Sequence, residues 1–189
     1  MGKGQFEQLL AQHCAPTLAG MKAASMVALP GRSMEDLQEF FQDYELCFAC
    51  KGLKVLELRQ QSRHVLLLIY RPAVLQRLLR RPMARQILED CGYDAAAGLD
   101  ELLVQLCRRM REAEEFPHEI GLFLGYPPQD VAGFIRCRGR NFRHCGFWKV
   151  YSNEKAVRRL FQCYDSCIKR VCDGLQAGMS LQSMITGAA

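Results

Sequence analysis

What this chain lacks narrows the field before anything it contains. No apolar run approaches the ~18 residues that a membrane span requires; the longest, VLLLIY at 65–70, has the length of a strand. The N-terminus, MGKGQFEQLL, has no apolar stretch after its lysine, so it reads as a cytoplasmic start and not as a secretory signal. Phe6 stands where the Gly2 myristoylation pattern wants Ser or Thr. Histidines number only 4, so each is worth weighing as a base or a ligand. His118-Glu119 begins a zincin box that fails at once, because Leu122 occupies the place of the second histidine. GLFLGYPP sets Gly121 and Gly125 four apart with no Gly-Lys-Ser/Thr ending, so neither a dinucleotide fingerprint nor a phosphate loop is present.

What is there is an ordinary globular mixture, with 49% apolar and 24% charged residues, which excludes disordered and fibrous classes. A chain of 189 residues suffices for one domain that buries about 70% of its unfolded surface. The 10 cysteines would suggest disulfides in a secreted protein; with an ample core and no export signal they read as reduced thiols. A formal charge of +5 is too mild to imply nucleic acid by itself.

Along the chain, a short amphipathic helix is expected at about Gln5 to Gln12, ended by Pro16. A second runs from an N-cap at Ser33 to Gly52, with Leu37, Phe40, Phe41, Tyr44 and Phe48 at helical spacing. LKVLELRQ and RHVLLLIYR follow as an antiparallel pair, the second apolar throughout as a central strand would be. Helices are expected at 72–80, 82–91 and 98–113, a third strand at HEIGLFLG, a helix at 128–136 opened by Pro128, and a fourth strand at GFWKVYS. A last helix starts at Ser152 or Asn153, and residues 176–189 read as a frayed tail after one globular domain over 1–175. The fold class is therefore α/β or α+β, a mixed sheet of about four strands flanked by helices.

Four blocks, HCAPTLAG, YRP, EFPHEIGLFLGYPPQDVAGFI and CGFWKVYSNEKAVRRLF followed by Cys167, give the chain a resemblance. It resembles a bacterial family known as domain of unknown function 3793, common in anaerobic Firmicutes. The resemblance spans about His13 to Cys167 and implies a bacterial cytoplasmic origin. It also implies a setting near iron-uptake and flavodoxin genes, and it brings no catalytic residues with it.

Several residues could carry chemistry. His118, held near the start of its element by Pro117, is a candidate base, with Glu119 beside it; a structural histidine bonded to a backbone carbonyl is the alternative. Adjacent side chains diverge, so these two do not share one ligand. Cys14, at the HCAP break, is a candidate nucleophile if the fold brings His118 to it, against the commoner buried thiol. Cys47 and Cys50 have redox-pair spacing but lie at a helix C-terminus, where the dipole raises a thiol pKa. No second tight pair completes a zinc site, and Cys163, Cys167 and Cys172 lack ferredoxin spacing.

The strongest charge signal is RCRGRNFRHCGFWK, 136–149, with Arg136, Arg138, Arg140, Arg143 and Lys149. Such a loop can grip phosphates, cofactor carboxylates or an acidic protein, or can simply be a solvated surface. His144 and Cys145 are candidate axial ligands for haem. One short loop lacks the stacking sheet of an RNA-binding module, which disfavours nucleic acid, and nothing suggests a membrane. Three readings emerge. The first is a binding or accessory protein of iron or redox metabolism, taking haem, iron or an acidic flavin partner such as flavodoxin. The second is a thiol-dependent hydrolase or acyltransferase using Cys14 and His118, and the third is a pure protein-interaction domain.

Overall fold

The computed structural model of the chain describes residues 1–31, 33–113 and 115–186. The fold is α+β, in two compact units: Met1–Val74 with the chain from Tyr164, and Leu75–Cys163. Among the described residues no helix is long and apolar enough to cross a membrane.

The first unit opens with α1 (Lys3–Leu18), longer than the expected 5–12. Pro16 lies inside its last turn, where the missing N–H frees only the carbonyl of Gln12, so the helix tolerates it. β1 (Ala24–Pro30) is a strand that the sequence reading passes over, because small residues and a closing Pro-Gly mask its alternation. An edge strand can end on proline without losing a ladder bond. The long helix expected from Ser33 is two, α2 (Glu35–Gln42) and α3 (Glu45–Cys50), ended at Gly52 with φ +65°.

β2 (Lys54–Gln60) and β3 (His64–Tyr70) both form. β3 is central in the order β1-β3-β2, antiparallel to each neighbour. Its residues Val65 to Tyr70 are all buried, as a strand covered on both faces should be. The sheet thus has three antiparallel strands, not four in a mixed arrangement. Phe6 of α1 packs 5.2 Å from Phe40, 5.1 Å from Phe41 and 5.8 Å from Tyr44, which anchors the first helix to the second and third.

α4 (Pro72–Leu79) leads into the second unit, which holds α5 (Pro82–Asp90), α6 (Leu99–Glu112), α7 (Ile120–Phe123), α8 (Pro128–Cys137) and a small ribbon of β4 (His144–Cys145) and β5 (Lys149–Val150). HEIGLFLG, expected as a strand, is the turn of helix α7. A short apolar run buried all round has no periodicity to tell strand from helix. Pro117 before it and Gly125 (φ +76°) after it are the start and stop signals of a helix. GFWKVYS contributes only the two residues of β5. The expected helices at 72–80, 82–91, 98–113 and 128–136 are all present to within a residue or so.

α9 (Glu154–Gln176) returns to the first unit, and α10 (Leu181–Met184) follows. Within the stretch read as a frayed tail, Leu181 and Ile185 are buried in the first unit's core, and 187–189 lie outside the described residues. There Arg71, the centre of the YRP block, is only 1% exposed. Its guanidinium donates to the carbonyl oxygens of Thr17 at 2.8 Å, Leu18 at 2.9 Å and Lys51 at 2.8 Å, and also to Thr186. One side chain so ties the end of α1, the turn after α3 and the C-terminal segment to the end of β3.

Removing that guanidinium strands several carbonyls, each costing about 1–3 kcal/mol when buried without a donor. Arg71→Met is expected to lower stability by about 3 kcal/mol or more, read as a fall in the urea midpoint, and to release the C-terminal segment to proteolysis.

Candidate ligand-binding site

The distinctive segment from Pro117 to Tyr151 folds within the second unit, and its local chemistry sets the site. Ile120 N–H bonds to Pro117 O, and Tyr126 N–H bonds back to Gly121 O, so α7 is a single closed turn. Gly121 is required by packing: a Cβ there would lie 2.9 Å from Val131 Cγ2 and 3.1 Å from the Tyr126 ring. α7 can therefore rest directly on α8. Pro127 and Pro128 start α8 with dihedrals already suited to a helix N-terminus.

Asp130, in the first turn of α8 and 2% exposed, gathers the ribbon onto this helix. Its Oδ2 accepts Trp148 Nε1–H at 2.8 Å, and its Oδ1 accepts the backbone N–H groups of Tyr151 and Ser152, each at 2.8 Å. A buried carboxylate survives only with such charge-assisted partners, and the helix dipole adds to them. The approach depends on Gly133, one turn further on, where any Cβ would lie 2.4 Å from the Tyr151 ring. Trp148, so held, stacks on Tyr126 at 4.6 Å and meets Phe161 edge-on at 4.6 Å.

Between α7, α8 and the ribbon lies a cavity of about 300 Å³. Phe116, Pro117, His118, Ile120 and Gly121 line it from the α7 side, and Tyr126, Asp130, Val131 and Phe134 from α8 and the turn before it. Cys145, Phe147, Trp148 and Lys149 complete it from the ribbon. The His118 ring is exposed and packs edge-on against Phe134 at 5.0 Å. Lys149 Nζ donates to Gly139 O at 2.8 Å and sits 5.6 Å from the Phe134 ring and 5.1 Å from that of Phe142, within cation–π reach.

The basic segment is a structured turn and ribbon. α8 ends with Arg138 (φ 49°) and Gly139 (φ 70°), and Asn141 (φ 57°) is also left-handed. Two non-glycine residues in that region mark a strained turn, a feature that clusters at functional sites. Arg136, Arg138, Arg140 and Arg143 are exposed. Arg143 Nη1 donates to Ser152 O at 3.3 Å. Among the described residues no carboxylate pairs with any of the four.

His118, Cys145 and Lys149 therefore share one cavity, while other candidates fall elsewhere. His144 packs on Phe161 at 5.8 Å and is not in the cavity lining. Glu119 diverges from His118, as adjacent residues should: it is buried, with Arg109 Nη1 3.5 Å from Oε1. Arg109 also donates to Cys91 O and lies over the Tyr93 ring at 4.6 Å. Burial first, and then the Glu119 charge, push the Tyr93 phenol well above its ordinary range. Glu119 thus belongs to a buried packing cluster.

Cys14 lies in the first unit, fully buried, and burial pushes its thiol up to about 12. A thiol so placed stays protonated at neutral pH, which disfavours attack by a thiolate. Cys50 and Cys163 are exposed, while Cys47 and Cys172 are half-buried and Cys167 is buried. Among the described residues no group of three or more His, Cys, Asp or Glu side chains is placed to hold a metal ion.

A family model described as protein of unknown function (DUF3793) matches residues 10–185. The chain belongs to this family. No curated protein and no solved structure matches it. One role at the site of this DUF3793 chain escapes sequence reasoning, that of Asp130 as its organiser, whereas Lys149 belongs to the basic segment that the sequence singles out. The signal for Asp130 is a first-turn acid directly after Pro-Pro; its Trp148 partner, many residues later in the chain, gives none.

Two outcomes follow. Asp130→Ala leaves an indole N–H and two backbone N–H groups without their acceptor, so it should cost about 3 kcal/mol or more and red-shift the emission of the single tryptophan. In intact protein at about pH 8, well below the raised pKa of Cys14, iodoacetamide should label Cys145 and Cys50 and spare Cys14 until the chain is unfolded; peptide mass mapping reads this directly.

Proposed function

We propose that the chain is a binding or accessory protein of iron or redox metabolism, in which the 136–149 segment meets an anionic cofactor or an acidic partner. The observation that carries this reading is the junction of an apolar, aromatic-walled cavity with exposed cations that no described carboxylate neutralises. Unpaired guanidiniums beside a pocket suit a carboxylate or phosphate ligand, or the carboxylate surface of a partner protein. His118 and Cys145 line the cavity, an imidazole and a thiol of the kinds that ligate iron. The iron and redox setting comes from the family resemblance alone.

A hydrolase or acyltransferase reading draws little support from the fold, since the proposed nucleophile Cys14 is enclosed by the first unit's core and held in its thiol form. A pure interaction domain explains the arginines but leaves the cavity without a role.

The test is titration of the purified protein with haem, with ferric iron and with an acidic flavodoxin. At least one should bind, and Arg138→Glu with Arg140→Glu should weaken that binding by about tenfold or more at ~0.05 M salt, the difference shrinking at ~0.5 M as surface charges are screened. Absence of binding to all three contradicts the proposal.

A further inference from the structure

The cavity's own chemistry specifies more than an anion. Its polar lining is sparse: Asp130 has both carboxylate oxygens engaged by the N–H donors of Trp148, Tyr151 and Ser152, and Tyr126 OH donates to Phe147 O at 3.3 Å. The formally cationic side chain in the lining is Lys149. Its ammonium has three donors, of which one is engaged, on Gly139 O. One end of a ligand can therefore be negative and hydrogen-bonding, while the rest must be apolar.

The shape of the apolar part is set by rings. The stacked Tyr126–Trp148 pair and the edge-on His118–Phe134 pair both line the cavity, presenting faces and edges that an aromatic ring matches better than an alkyl chain. Phe116, 43% exposed, lies at the same cavity, and an apolar ligand would cover it. The volume of about 300 Å³ stands at the small end of ligand pockets, which fits one or two rings. We infer that the cavity binds a one- or two-ring aromatic carboxylate, its ring among Tyr126, Trp148, Phe134 and His118 and its carboxylate on Lys149 Nζ. The inference rests on the preceding reading for the anionic character of the ligand, and it names the class that the cavity itself selects.

Trp148 is the single tryptophan of the chain and lines this cavity, so its fluorescence reports on it. Phenylacetate is expected to change that emission saturably, while the near-isosteric neutral phenylacetamide and the straight-chain hexanoate bind about tenfold more weakly or worse. Lys149→Met should bring phenylacetate down to the level of phenylacetamide and leave the amide's binding as it was, and Lys149→Arg should restore most of the difference. Bound phenylacetate should also slow alkylation of Cys145.

No saturable response to phenylacetate, equal affinity for acid and amide, or tighter binding of hexanoate overturns the inference. The acid–amide comparison on unaltered protein decides the matter even if a Lys149 variant fails to fold. Haem or flavodoxin bound without any response to phenylacetate overturns this inference alone. Phenylacetate bound with no haem, iron or flavodoxin binding overturns only the partner reading.

Discussion

One buried carboxylate fixes the second unit's site. Asp130 accepts the indole N–H of Trp148 and the N–H groups that follow β5, and in doing so joins the N-terminus of α8 to the end of a ribbon only two residues long on each strand. A ribbon that short has too few ladder bonds to stand alone. Its position, and with it the placing of Cys145, Trp148 and Lys149 around the cavity, is borrowed from Asp130. The glycines at 121 and 133 make that arrangement possible by removing the Cβ atoms that would hold α7 and Tyr151 away from α8.

The same logic separates Asp130 from Glu119, the two buried acids among this unit's described residues. Asp130 is met by hydrogen-bond donors at 2.8 Å, so its charge is spent internally and the cavity sees little of it. Glu119 instead pairs at 3.5 Å with Arg109, itself braced by Tyr93 and Cys91, and none of these four lines the cavity. What remains at the cavity is a positive balance: Lys149 in the lining and exposed arginines on the adjoining turn. The first unit runs on a comparable device, with Arg71 serving buried carbonyls where Asp130 serves N–H groups. In each unit one buried charged side chain satisfies several backbone groups that the regular elements leave over.

How much of this was legible in the sequence depends on how local each signal is. The amphipathic helices α4, α5, α6, α8 and α9 could be read from their spacing, and β3 from its unbroken apolar run, because burial of one face or both writes directly into the residue order. β1 was hidden by Ala, Ser and a terminal Pro. α7 was misread because Ile120–Phe123 is buried on every side and so carries no period. The packed C-terminal segment was missed because Leu181 and Ile185 sit among small and polar residues that suggest fraying. His118, Cys145 and the basic segment were found from residue chemistry alone, which needs no fold. Asp130 and Arg71 were not, since their importance lies in partners brought close only by the tertiary structure.

Asp130 holds the Trp148 indole and thereby shapes the cavity. The most direct measurement is the indole ¹H–¹⁵N resonance of the single tryptophan, with its rate of exchange into deuterated water. One downfield-shifted indole N–H is expected, protected from exchange in the native protein and moved by phenylacetate. An indole N–H that exchanges at the rate of free tryptophan would contradict it.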